Sequence, residues 1–193
     1  MKQGLLQLQA VEKQIAEFEV EIDRRNQPFQ EAVERLMTIS GVDRITACAL
    51  VAEIGTNMAQ FPTAQHLASW AGVCPGNQES AGKRLSGQTR KGNPWLRRVL
   101  CQAAWAASHT KNTYLSAQYH RLAARRGKKR AIIAVAHSIL VIAYYLLSRG
   151  EEYRDKGSDY FDRINSEGLK RHLVKRLEGL GHKVKLEPIP VEA

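Results

Sequence analysis

Acidic residues are absent from one long stretch of this sequence, between Ser80 and Gly150. That stretch holds 14 of the chain's 29 Lys and Arg residues, while the remainder carries 15 bases against 19 acids. Folding does not require such segregation, and repulsion between like charges opposes it, whereas a polyanion would neutralise it. The pattern therefore predicts binding to nucleic-acid phosphates. A solvated basic face without a partner is the alternative.

Cysteine is also scarce, and its spacing excludes several classes of protein. Cys48, Cys74 and Cys101 are far apart and odd in number, with no C-x-x-C pair and no Cys/His cluster at zinc spacing. Neither a disulfide framework nor a zinc site is expected, and the three thiols are interpreted as small core residues in a reducing compartment. Met1 leads directly into a polar, Gln-rich helix, so we expect no signal peptide and place the chain in the cytoplasm.

Long apolar runs are missing except at one place, from Ala131 to Leu147. This run is slightly short for a membrane span, and it contains His137 and Ser138 near its middle. It follows the basic run Arg125–Arg130. We interpret it as a buried core helix and expect no membrane association.

Strand-like alternation of apolar and polar residues is also lacking, so the chain is predicted to be mainly α. We divide it into a helical, coiled-coil-like arm (1–35), a helical domain (36–150), and a peripheral helix with a polar tail (151–193). The arm carries apolar residues spaced alternately three and four apart, which is the seam of a coiled coil. A dimerising arm and an amphipathic helix packed on its own domain both fit this seam. Its members are Leu8, Val11, Ile15, Phe18 and Ile22.

A helix–turn–helix pattern begins the domain. Helices are predicted over Phe29–Met37 and Ile45–Ile54, joined by a turn at Thr38–Arg44 that contains Gly41. A helix-hairpin-helix element of this kind can offer turn N–H groups to a DNA phosphate. An ordinary helical hairpin fits the spacing equally well. Asp43 adds a negative charge to the turn, which weakens the phosphate-binding interpretation.

The segment from Gly72 to Leu100 carries the candidate chemistry. Ser80 lies between Gly76 and Gly82 in a predicted loop, and Asn93-Pro94 predicts a helix start whose N-terminus can attract an anion. A serine surrounded by cations could attack phosphorus, because the cations stabilise the developing negative charge. Alternatively, Ser80 is a turn residue and the bases only hold a phosphate backbone. The predicted contacts here are Lys83, Arg84, Arg90, Lys91, Asn93 and Arg97.

A second group of predicted phosphate contacts lies further along the chain. Arg125, Arg126, Lys128 and Lys129 surround Gly127. Their charge density predicts an exposed turn that follows a phosphate backbone, ahead of the buried helix.

Several blocks of the sequence, taken in order, resemble a known family. They look like the C-terminal transposase domain of the insertion sequence 110/116/902 family, to which Piv-type DNA invertases are related. The resemblance extends from about Leu36 to Arg149, and the preceding helices resemble that family's coiled-coil linker. The blocks are Ile39-Ser40-Gly41-Val42 through Ala47, Phe61, Leu67 to Pro75, Glu79-Ser80-Ala81-Gly82-Lys83, Arg90-Lys91-Gly92-Asn93 and Leu96-Arg97.

The resemblance implies a function and a set of partners. Ser80 occupies the position of the family's serine nucleophile, and a separate N-terminal RuvC-like domain binds divalent metal, Mg²⁺, through an acidic tetrad. The implied activity is DNA strand exchange in bacterial transposition, directed by a structured guide RNA and located at the nucleoid. This chain begins at the linker, so we expect a serine-bearing half without a cofactor of its own, incomplete without the acidic domain. It is also expected to form homo-oligomers through its N-terminal helix. A non-catalytic nucleic-acid-binding module or transposase remnant is the alternative.

Overall fold

Nine α-helices and one β-hairpin make up the described part of the chain. The computed structural model describes residues 2–76 and 78–187, with all side chains in these ranges except those of residues 2, 78, 79 and 84–86. The prediction of a mainly α protein is confirmed. In chain order the elements are α1 (Lys2–Asn26), α2 (Gln30–Met37), α3 (Arg44–Ile54), α4 (Ala64–Trp70), β1 (Gln78–Ser80), β2 (Lys83–Ser86), α5 (Pro94–His109), α6 (Tyr114–Arg126), α7 (Lys128–Arg149), α8 (Tyr160–Ile164) and α9 (Ser166–Gly179).

Helix α7 lies at the centre of the domain, where it packs against α2, α4, α5 and α6. Its buried face recurs every three or four residues, and alanines at 131, 136 and 143 let neighbouring helices approach closely. The hydroxyl of Tyr144 donates to the carbonyl oxygen of Phe61 at 3.1 Å and so ties α7 to the segment before α4. By length and composition α7 could also cross a membrane. Of its most apolar segment of 18 residues, 39% is buried in the fold. Its contacts with four helices are those of a core helix.

Side-chain caps fix where the helices begin. Thr63 accepts a hydrogen bond from the His66 N–H, and Asn93 accepts from the N–H groups of Trp95 and Leu96, which confirms the helix start predicted at Asn93-Pro94. Asp43 caps α3 by accepting from the Thr46 N–H at 2.8 Å. Hydrogen bonds from Thr46 lower the pKa of Asp43.

The turn between α2 and α3 packs closely against other parts of the domain. Gly41 has φ +88° and lies so close to α5 that a Cβ atom there would stand 2.5 Å from the Ala107 nitrogen. On the other side, the Tyr153 N–H donates to Thr38 Oγ1 at 2.9 Å. The N–H groups of Thr38 and Ile39 donate to carbonyls at the end of α2, and the N–H of Val42 donates to the carbonyl of Ile39 within the turn. The geometry therefore favours an ordinary helical hairpin, and the phosphate-binding form stays an interpretation.

Helix α1 extends away from the core. The five residues of its predicted seam are each between 48% and 69% exposed, so the seam does not pack on its own domain. The arm is anchored near its end, where Arg44 on α3 pairs with Asp23 at 2.7 Å. The core begins at α2, which buries Ala32 and Val33, a few residues before the boundary predicted after residue 35.

The segment after α7 is a strap that leads into α8 and α9. Asp155 accepts hydrogen bonds from the Tyr114 N–H at 2.9 Å and from the Tyr153 hydroxyl at 3.2 Å, and so holds the strap against the start of α6. Tyr114 also stacks on Phe161 of α8, with ring centroids 5.2 Å apart. The single peripheral helix predicted within residues 151–193 is α9, and α8 was not predicted. Residues 188–193 of the predicted polar tail lie outside the described residues.

The close approach of Gly41 to α5 gives the first prediction. We expect Gly41→Ala to lower the free energy of unfolding by about 3 kcal/mol or more, because the methyl group must displace backbone as well as strain φ. Gly150→Ala is the control, since Gly150 is also left-handed (φ +70°), but the atom nearest to an added Cβ is Arg35 Cζ at 4.0 Å, an ordinary van der Waals distance. That control should cost only about 1–2 kcal/mol. Urea unfolding of both variants provides the measurement, and equal losses would contradict the packing argument.

Candidate nucleic-acid interface

A short β-hairpin stands where the sequence predicted a loop. β1 and β2 pair antiparallel, with Ser80 opposite Lys83 and a bulge between Gln78 and Glu79. Ala81 and Gly82 form the two-residue connection, and their φ angles of +49° and +72° are those of a type I′ turn. Strands of three and four residues are too short for alternation to reveal them. The loop prediction is therefore wrong at this point.

The hairpin tip presents Ser80 and Lys83 side by side. Cross-strand neighbours carry their side chains on the same face, with Cβ atoms about 5 Å apart, and both residues are exposed. Within the described residues the Ser80 hydroxyl makes no hydrogen bond. The positive φ of Ala81 is uncommon for a residue with a Cβ atom, and strained backbone of this kind concentrates at functional sites.

Two glycines hold the base of the hairpin against α4. Gly72 follows α4 with φ +71°, and a Cβ atom on it would stand 2.9 Å from the Gly92 nitrogen. Gly92 is equally constrained, because its own Cβ atom would collide with the backbone of Ala71 and Gly72. This backbone contact needs glycine on both sides, and it brings Arg90 and Lys91 beside the end of α4.

An open groove results between α4 and the segment that enters α5. Trp70 and Trp95 line it, and they are 44% and 63% exposed. Arg90 and Lys91 lie in the same groove, together with His66 and Ser69 of α4. The sequence analysis missed both tryptophans. Apolar residues at Leu96, Leu100 and Ala103 recur at helical spacing and form the buried face of α5. That spacing could have indicated that Trp95 lies outside the buried face.

The Asn93 side chain has a structural role in this segment. Its Oδ1 caps α5, and its Nδ2 donates to Glu53 Oε2 on α3. The Asn93 cap therefore occupies the N–H groups of Trp95 and Leu96, which the anion-binding interpretation of this helix start required. A direct contact between Asn93 and nucleic acid stays a prediction.

The basic run around Gly127 is a corner between two helices. Arg125 and Arg126 end α6, Gly127 alone breaks the chain with φ +84°, and Lys128 already begins α7. The predicted exposure of these residues is confirmed. The predicted turn conformation is wrong, because helices extend up to the glycine on both sides. All four predicted contacts, at 125, 126, 128 and 129, are exposed.

The structure separates the predicted cationic cage around Ser80. Lys83 faces the serine, but Arg90 and Lys91 lie at the hairpin base, roughly 15 Å away at the rise of a β-strand. Arg97 is half-buried on α5, outside the residues that line the groove. The side chain of Arg84 lies outside the described part of the chain.

The bases of the acid-free stretch stay unneutralised in the folded chain. Every salt bridge seen among the described residues joins partners outside residues 80–150. Three arginines of the stretch instead lie over aromatic rings, with Arg98 over Trp95, Arg121 over Phe161 and Arg149 over Tyr145. Among the described residues, folding therefore leaves the bases of this stretch without a salt-bridge partner.

The other candidate chemistries find no support in the described residues. Burial raises the pKa of the thiols of Cys48, Cys74 and Cys101, which disfavours a thiolate nucleophile. No group of three or more His, Cys, Asp or Glu side chains within residues 2–76 and 78–187 could hold a metal ion.

Comparison with known proteins shows which family this domain resembles. The sequence profile of the Transposase IS116/IS110/IS902 family matches residues 33–121, which cover the hairpin, the groove and Ser80. Over these residues the chain is similar to this transposase family. It is 34% identical over 128 residues to the transposase for insertion sequence element IS1111A of Coxiella burnetii. It is 30% identical over 125 residues to an uncharacterized protein of insertion element IS110 of Streptomyces coelicolor.

The transposase relatives are longer proteins. These two matches cover 64% and 63% of this chain but only 35% and 30% of the Coxiella and Streptomyces proteins. The chain thus spans about a third of the length of the curated relatives it matches.

Proposed function

We propose that this chain is the DNA-binding, serine-bearing half of a transposase, acting in DNA transposition at the bacterial nucleoid. The observation that carries the proposal is the unneutralised cationic surface of residues 80–150, which has no acidic partner in the described fold. Phosphates would supply the missing negative charge, with release of their condensed counterions. A guide RNA offers the same phosphate chemistry as DNA.

Ser80 is the proposed nucleophile, and its position supports this role. It stands at an exposed hairpin tip, where a DNA strand can reach it, and Lys83 lies beside it to stabilise charge on a phosphoryl oxygen. Attack would join Ser80 Oγ to phosphorus and break the bond from phosphorus to a deoxyribose oxygen. The hydroxyl proton needs an acceptor, which we assign to a RuvC-like domain with its Mg²⁺, since the described residues around Ser80 provide none.

The exposed seam of α1 is proposed to pair copies of the chain. Leu8, Val11, Ile15, Phe18 and Ile22 follow the a/d spacing of a coiled coil, and this face is uncovered in the monomer. Pairing would bring two serine hairpins into one assembly, as two DNA ends require.

The oligomer proposal predicts the effect of a charge in the seam. Ile15→Glu should shift the chain to monomer in sedimentation, because a carboxylate at an a position must be buried against its partner. Gln14→Glu, one residue outside the seam, is the control and should leave the mass unchanged. A wild-type chain that sediments as a monomer at all concentrations would contradict the proposal.

The phosphate-binding proposal predicts a steep dependence of affinity on salt. Each neutralised phosphate contributes about −0.9 to the slope of log K against log salt on duplex DNA. Replacing Arg125, Arg126, Lys128 and Lys129 with Ala should therefore reduce the slope by up to about 3.6. Thermal stability should change little, since exposed substitutions usually alter it by under about 0.5 kcal/mol each.

A matched variant controls for net charge in the salt experiment. Replacing Lys170, Arg171, Lys175 and Arg176 of α9 with Ala removes the same charge from exposed positions outside the acid-free stretch. Its salt slope should stay near that of the wild type. Affinity that is flat with salt, or equal losses in both variants, would refute a specific phosphate surface.

The catalytic proposal predicts activity only in a completed system. The isolated chain should neither cut nor rejoin DNA, because it offers no metal site among its described residues. With an acidic RuvC-like domain, divalent metal and cognate nucleic acids supplied, strand exchange should appear, and Ser80→Ala should lower it by several orders of magnitude. The readout is recombinant product on a gel, together with a covalent protein–DNA adduct.

Ser86→Ala is the control for the catalytic test, since Ser86 lies on β2 of the same hairpin and pairs with Gln78 instead of Lys83. Activity of the isolated chain would overturn the divided active site. If Ser80→Ala kept full activity and Ser86→Ala lost it, the nucleophile would be Ser86 instead of Ser80.

The non-catalytic alternative shares the binding surface but not the chemistry. It predicts salt-sensitive binding that survives Ser80→Ala, with no adduct in the completed system. The strained hairpin tip favours the catalytic proposal, because a passive phosphate contact has no need of an exposed serine beside a left-handed alanine.

A further inference from the structure

All three tryptophans of the chain lie on its surface. Trp70, Trp95 and Trp105 are 44%, 63% and 61% exposed. Tryptophan is usually highly buried, so its exposure marks a surface that binds something. Two of the three, Trp70 and Trp95, line one groove, which raises the question of what that groove holds.

The two groove tryptophans are held in place by their neighbours. Trp70 leans on Phe61, with centroids 5.7 Å apart and planes inclined at 52°. The Arg98 guanidinium lies 5.2 Å from the centroid of Trp95, over its ring. An arginine over one face orients the ring and leaves the opposite face available for a second flat group.

The charge of the groove favours a nucleic acid over a protein partner. Arg90 and Lys91 share it with the tryptophans, and neither has an ion-pair partner within the described residues. Glu53, the nearby carboxylate, is engaged by the Asn93 amide and is not part of the groove lining. Rings beside unpaired cations match a flat base attached to a phosphate, which is the combination used by single-strand binding proteins.

Duplex DNA does not account for the tryptophans. Its base faces are stacked on one another, so it offers phosphates and groove edges but no free ring face. Cations alone would bind such a duplex. Exposed rings beside the cations add affinity only for bases that are unpaired.

We infer that the groove between α4 and the start of α5 binds an unpaired nucleotide, with its base against Trp95 or Trp70 and its phosphate on Arg90 and Lys91. The site is separate from the serine tip, since it lies at the base of the hairpin. The inference rests on the proposed nucleic-acid function and narrows it to a single-stranded segment. A strand opened during exchange and a loop of RNA share this chemistry.

The test compares three probes with wild type and single tryptophan variants of the full chain. The probes are a labelled thymidine oligonucleotide, an abasic oligonucleotide of the same length, and a duplex, followed by fluorescence anisotropy. Trp95→Ala should weaken binding of the thymidine oligonucleotide by about tenfold, the effect of losing one base–aromatic stack. Binding of the abasic strand and the duplex should change less than about twofold, because their phosphate contacts remain.

Trp105→Ala is the matched control. Trp105 lies on the same helix, α5, and is about as exposed, but its ring contacts His109 outside the groove. It should leave all three affinities unchanged. Trp70→Ala should weaken binding of the thymidine oligonucleotide to the same extent as Trp95→Ala. If Trp70→Ala unfolds the chain because the contact with Phe61 is lost, Trp70→Phe replaces it in the test. A uridine oligoribonucleotide then distinguishes an RNA loop from a DNA strand.

The outcomes separate this inference from the proposed function. If the wild type binds duplex and abasic strand with steep salt dependence, but Trp95→Ala and Trp70→Ala both behave like Trp105→Ala on the thymidine strand, the groove proposal fails alone. Equal weakening of all three probes by Trp95→Ala also overturns it, since that loss would be structural. If none of the probes binds the wild type, the proposed function fails as well.

Discussion

The burial of one long apolar helix is the constraint on which the rest of the structure depends. α7 can shed its apolar surface only by contact with several neighbours, and its alanines allow α2, α4, α5 and α6 to approach it closely. α4 and α5 both pack against α7. The segment that joins the end of α4 to the start of α5 must therefore leave the core and return to it within a short distance. The hairpin and the groove are built from that segment. The candidate site is thus a consequence of how the core is packed.

Close backbone contacts determine where that segment returns. Gly72 and Gly92 lie against one another at the foot of the hairpin, and Gly41 lies against α5 on another side of the domain. Such contacts leave no room for a Cβ atom, so they fix the backbone path that carries Arg90 and Lys91. They also explain why the hairpin tip stands free, since all of the anchoring is at its base.

Electrostatic repulsion opposes this arrangement. Fourteen bases share one stretch of chain with no acid, and folding brings none of the acids elsewhere into a salt bridge with them among the described residues. Self-repulsion of this kind is tolerated when a polyanion relieves it. The strap around Asp155 illustrates the contrast, because its carboxylate is used to hold the C-terminal segment and not to neutralise the basic surface.

The sequence by itself determined the helical class, the helix start at Asn93, the seam of α1, the charge segregation and the resemblance to a transposase family, since these depend on local pattern and on residue order. The hairpin escaped prediction because a type I′ turn with Ala at its first position carries only a weak local signal. Only the tertiary structure decided which residues of the site meet. It paired Ser80 with Lys83, moved Arg90 and Lys91 to the hairpin base, and joined them there with Trp70 and Trp95. Those distances follow from glycine contacts and from the packing of α4 and α5 on α7, which link residues far apart in the chain and leave no pattern in any one segment.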